Sequence, residues 1–273
     1  MGADIDAVED AGRRAERSPW LDHAVRFGLV AYGLVHLVVA WLGLQLALGE
    51  RSGRPDARGA LHELAQQPLG EVVLLLVACG MLLLVAWRLV ELCFDHRDEG
   101  APARWRRRVV AVGTGVAYAA IGASALGVVV GNGGSGREEE TWTARLMSWP
   151  AGPWLVAAVG AGLLGYTAGM AWRGLTGGHA RLLTTEGRSG EAGTAYVLVG
   201  TVGYLAKGAA VGIVGALVLW AAWSHDPQKS GGLDQALGRL LHQPLGPWLL
   251  GAVSVGLAGF GLFQLARARH LSR

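Results

Sequence analysis

Gln243-Pro244-Leu245-Gly246-Pro247-Trp248 is one of three versions of the same mark in this chain. The others are Gln67-Pro68-Leu69-Gly70 and Trp149-Pro150-Ala151-Gly152-Pro153-Trp154. Each opens a long apolar run. Proline is tolerated where a helix starts, because its missing N–H has no intrahelical partner there. Pro68 with Gly70, Pro150 with Gly152, and Pro244 with Gly246 therefore predict three helix starts. A further glycine follows each first proline by twelve residues, at Gly80, Gly162 and Gly256. An equal offset in three copies is the signature of an internal repeat.

Outward from these marks the chain resolves into six apolar runs: 25–48, 72–92, 109–130, 154–172, 196–220 and 248–266. About 20 apolar residues rising 1.5 Å each span a hydrocarbon core of about 30 Å, so each run predicts a transmembrane helix. The composition agrees: of 273 residues, 52% are apolar and only 16% charged. The predicted fold is an all-α membrane protein with six transmembrane helices. They form three parallel two-helix repeats in a pseudo-threefold arrangement. The expected organisation is an N-terminal tail at 1–19, then repeats at 20–98, 99–180 and 181–273, the last with a short tail.

Each unit reads as helix, polar loop, short amphipathic segment, mark, helix. The amphipathic segments Ala60–Ala65 and Ala236–Leu241 place apolar residues at helical spacing beside charges, which predicts short helices on the membrane surface. Gly165 with Gly169, and Gly208 with Gly212, have the spacing that brings small residues to one helix face for close packing. Cys79 and Cys93 share one helix and are expected to be buried, unpaired thiols.

Arginine sets the orientation. Sixteen basic residues fall in the tails and even loops, against seven in the odd loops. Positive loops stay in the cytoplasm, so both termini are expected there, in a multi-pass protein of the cell membrane. Residues 1–18 have no apolar core of a cleavable signal, so the first helix is expected to act as an uncleaved anchor. Tryptophans gather near predicted helix ends, as amphipathic rings do at headgroup level. Trp41 and Trp87 lie deeper and are expected to pack.

The run Gly203-Tyr204-Leu205-Ala206-Lys207-Gly208, its counterpart Gly28-Leu29-Val30-Ala31-Tyr32-Gly33 followed by His36, and the Gln-Pro-Leu-Gly marks resemble the bacterial membrane family called domain of unknown function 1206. The resemblance extends from about Trp20 to Ala268. It implies three two-helix repeats, a mostly actinobacterial distribution and no established activity. The second unit departs most, with Ala119 where the others have Gly33 and Gly208.

Lys207 is one of two lysines and lies midway along the fifth run. A charge there costs about 2.5–3.5 kcal/mol, so such residues face a bundle interior, a wet cavity or a partner, or else snorkel to the interface. Aligned by repeat, Tyr32 is the counterpart of Lys207, and His36 stands one turn beyond it. These three residues are the candidate intramembrane ligand site. No nucleophile elbow, paired carboxylates, metal-ligand spacing or phosphate loop is present, so no enzyme activity, cofactor or metal is expected. The basic residues sit in short loops beside membrane helices, which argues against nucleic acid. The expected partners are the bilayer, a bound lipid or another membrane protein. Two functions remain: a non-enzymatic structural or accessory component, and a small transporter, channel or lipid-binding protein centred on Lys207.

Overall fold

The computed structural model describes residues 19–50, 55–94, 101–131, 138–230 and 232–271. The predicted tail at 1–19 lies outside them except for its last residue, and side-chain placement at Cys93 lies outside them too. Among the described residues the protein is helical. The spans are α1 (Pro19–Ala47), α3 (Gly70–Phe94), α4 (Ala101–Val129), α6 (Gly152–Leu175), α8 (Gly190–Ser224) and α10 (Gly246–Arg269). Three short helices, α2 (Ala57–Ala65), α5 (Glu138–Met147) and α9 (Leu233–Leu241), precede the even spans, and α7 (Thr185–Arg188) precedes α8. The six long helices are apolar enough to cross a membrane. They overrun the predicted spans, because helical hydrogen bonding continues into polar flanks. The 35 residues of α8 extend about 52 Å, well beyond a hydrocarbon core of about 30 Å. With six spans, the start of α1 at Pro19 and the end of α10 at Arg269 share one side, here called the terminal side.

The repeat mark is a β-turn, which corrects the expectation that its first proline starts the helix. Gly70, Gly152 and Gly246 donate their N–H to the carbonyls of Gln67, Trp149 and Gln243 at 2.8, 2.9 and 2.8 Å. The prolines occupy the second turn position, where their fixed φ suits the turn. Leu69 and Leu245 follow at φ 65° and 63°, whereas Ala151 has φ −99°. Glycine is the first helical residue in each case. A Cβ on it would collide with backbone oxygens of the preceding surface helix, at Ala65, Leu146 and Leu241. The second prolines, Pro153 and Pro247, take the proline position in the first helical turn.

The surface helices dock as their sequences predict. Ala60 and Leu61 of α2, and their counterparts Ala236 and Leu237 of α9, are completely buried. The Asp56 carboxylate caps α2 by accepting from the Gly59 N–H at 2.6 Å.

The six spans form a ring, and its main seams lie between repeats. In each main seam an even helix packs on the odd helix of the next unit: α3 on α4, α6 on α8, and α10 on α1. Within units, α1 packs on α3 and α8 on α10, but α4 and α6 form no comparable seam among the described residues. Burial follows this pattern. Within the most apolar windows, 56% of α1 and 50% of α10 is buried, against 17% of α4 and α6, so the second unit sits at the edge of the core.

One position explains the open pair. Gly28 faces Leu84 and the Gly80 carbonyl across α1–α3, and Gly203 meets the Phe260 backbone across α8–α10. Arg88 and Met170 each stand twenty residues after their first proline, and Gly115 meets Arg88 as Gly208 meets Met170. The packed register thus pairs Gly115, not the expected Ala119, with Gly33 and Gly208, and places Val110 at this position in α4. A branched side chain stands where the other units need none. Gly80 accordingly lies against Ala31, and Gly256 against Ala206, while a Cβ on Gly162 would meet nothing within 4 Å.

The same asymmetry divides the two predicted glycine pairs. Gly208 and Gly212 pack on Met170 and Thr167 of α6, whereas Gly165 and Gly169 have nothing within 4 Å. Trp149, Trp154, Trp223 and Trp248 are exposed near helix ends away from the termini, and Trp20 and Trp172 near the terminal side, as two interfacial belts require. Trp87 packs against the core, but Trp41 is 58% exposed and faces outward, correcting its expected packing role. Cys79 is likewise exposed rather than buried, because it projects from the outer face of α3.

Candidate functional site at the ring centre

Residues from both kinds of helix build the centre. Tyr32 and Lys207 are repeat equivalents on α1 and α8, Tyr118 comes from α4 at the register of His36, and Leu84, Tyr166 and Phe260 stand sixteen residues after the three first prolines. Tyr32, Tyr118, Lys207, Leu84 and Phe260 are buried, and Tyr166 packs against them. The Lys207 ammonium donates a hydrogen bond to the Tyr32 hydroxyl. It also lies 4.0 Å from the Phe260 ring centroid and 4.5 Å from that of Tyr32. Tyr32 meets Tyr118 edge-on at 5.0 Å and Phe260 at 6.0 Å.

This geometry accounts for a lysine in the membrane interior. Insertion costs about 2.5–3.5 kcal/mol. A hydrogen bond from a charged donor returns about 1.5–3 kcal/mol, and a desolvated cation–π contact about 2. The gains offset the cost, so Lys207 need not snorkel, and its side chain is only 7% exposed.

His36 lies one turn further from the terminal side. Its Nδ1 is 2.9 Å from the Tyr32 carbonyl, which can only accept, so Nδ1 carries the proton. Its ring packs 4.3 Å from Tyr32 and 5.0 Å from Phe260 and stays partly accessible. The three candidate residues thus form one contiguous group. Val211 and Val214 continue the Lys207 face of α8 into an apolar surface groove of about 450 Å³, which Val159 and Leu163 of α6 also line.

Tyr118 and Phe260 belong to this centre and were missed from sequence. Repeat register held the signal: Tyr118 stands three residues after Gly115 as His36 stands three residues after Gly33. His179 was also missed. It is fully buried in the turn after α6, with Nδ1 3.1 Å from the Arg173 carbonyl and Nε2 2.9 Å from that of Val197. Its ring stacks on Tyr204 at 5.3 Å, tying the turn to α8.

These features define a polytopic helical membrane protein built from three repeats around a side-chain-filled centre. The chain belongs to the family described as Domain of Unknown Function (DUF1206), whose model matches three times, at residues 27–94, 109–177 and 202–270. Uncharacterized protein YxxB of Bacillus subtilis (strain 168) is 26% identical over 255 residues, covering 93% of this chain and 92% of that protein. No solved structure matches the chain.

Proposed function

We propose that the protein is a non-enzymatic structural or accessory component of the cell membrane, with both termini in the cytoplasm, acting through what it binds. One observation carries this reading: the rings of Tyr32 and Phe260 close on the Lys207 ammonium, with Tyr118 edge-on to Tyr32, and fill the centre a conduit would need. The arginine-rich tails and even loops support the orientation. Reconstitution in liposomes tests the role. The expected result is no ion or solute flux above a Lys207→Met control, together with one reproducible protein partner or lipid. Flux that depends on Lys207 overturns the reading.

A second reading has its own support. Lys207 turns inward with no carboxylate partner among the described residues, beside an accessible His36. Lys207, His36 and Tyr32 then form a ligand site, and flux or ligand binding lost in Lys207→Met is its signature.

A further inference from the structure

On the terminal side of the Lys207 layer, two arginines continue the even-helix faces that line the centre. Arg173 of α6 and Arg267 of α10 stand at the same offset from their prolines, two turns beyond Tyr166 and Phe260. The Tyr204 hydroxyl is within electrostatic reach of both, and that of Tyr166 within reach of Arg173. Neither Arg173 nor Arg267 pairs with a carboxylate among the described residues, and Arg267 buries its Nε without a partner. The Tyr166 and Tyr204 hydroxyls also lack hydrogen-bond partners among those residues.

Cations and hydroxyl donors thus converge from different repeats with no anion to receive them. Arginine forks match phosphate oxygens, and basic pockets between transmembrane helices hold lipid headgroups. The α4–α6 side has no comparable seam and so is open laterally, and Arg173 at the end of α6 is exposed. We propose that this terminal-side mouth binds a phosphate group, with Arg173 and Arg267 gripping its oxygens and Tyr166 and Tyr204 donating to them. The site is separate from the Lys207 layer and does not depend on whether the protein conducts.

The test is thermal unfolding of the purified full chain with phosphatidylglycerol, phosphatidylcholine or inorganic phosphate added. Phosphatidylglycerol is expected to raise Tm far more than phosphatidylcholine. Arg173→Gln/Arg267→Gln should weaken that response about tenfold or more, as loss of charge-assisted hydrogen bonds predicts. Arg181→Gln, which removes an exposed charge, should leave it intact. Tyr166→Phe/Tyr204→Phe keeps the ring packing and should weaken the response less. A response to inorganic phosphate with the same arginine dependence supports the site and makes soluble phosphate its source. No arginine-dependent response to either probe, or an equal loss in Arg181→Gln, overturns the proposal.

Discussion

In the third unit α8 and α10 meet backbone to backbone, and Gly203 has no room for a Cβ against Phe260. In the second unit Val110 occupies the matching position, and α4 and α6 form no comparable seam. The first unit resembles the third, with Gly28 against Leu84 and the Gly80 carbonyl. Every unit keeps its turn mark and its seam with the next unit. Only the close contact inside the second unit is lost. In lipid there is little hydrophobic gain from bringing helices together, so close packing depends on small residues at the contact. One valine therefore matters more here than it would in a water-soluble bundle. The seams between units and those inside the first and third hold the helices in an open ring whose gap lies in the second unit.

The largest test of this contrast exchanges the deciding residues. Gly203→Val forces a branched side chain into the Phe260 backbone and is expected to cost about 3 kcal/mol or more, or to prevent accumulation. Val110→Gly acts where α4 and α6 form no comparable seam and is expected to cost about 1 kcal/mol or less, a helix-propensity effect. Unfolding in detergent measures both. Equal costs would show that the second unit packs like the third.

A middle-sized effect belongs to the centre shared by the units. Lys207→Met trades an offset charge for an apolar chain and is expected to shift stability by less than about 2 kcal/mol in either direction. Combined with Tyr32→Phe in a double-mutant cycle, it should give a coupling of about 1–3 kcal/mol, the size of a charged hydrogen bond. Additive effects would mean that the Lys207–Tyr32 contact holds nothing together.

The smallest effect compares the turn marks. Leu245 holds a left-handed backbone that costs about 1–2 kcal/mol for an ordinary residue, and its side chain is exposed. Leu245→Gly is expected to be neutral or to stabilise by about 1 kcal/mol. Ala151→Gly, at a negative φ, should not stabilise. A gain at Ala151 equal to that at Leu245 would erase this difference between units.

Much of the architecture was legible from residues alone. Six apolar runs specify six spans because lipid leaves the backbone few ways to satisfy its hydrogen bonds. Recurring marks specify three units because duplication keeps spacing. Lys207, Tyr32 and His36 could be grouped from register, since equivalent positions of equivalent helices reach the same depth. Tyr118 was available by the same logic, as the residue three after Gly115, had Gly115 and not Ala119 been matched to Gly33. Exposure was harder to read: Trp41 and Cys79 are as apolar as their buried neighbours, and lipid-facing and core-facing surfaces have similar chemistry.

Sequence by itself thus determined the number of spans, their repeat and the depth of Lys207, all of which follow from local hydropathy and spacing. Tertiary structure alone decided that seams form chiefly between units, that the second unit stays open, and that Arg267 buries its Nε without a partner. Those outcomes depend on how closely two particular backbones can approach, and that distance exists only once the helices have packed.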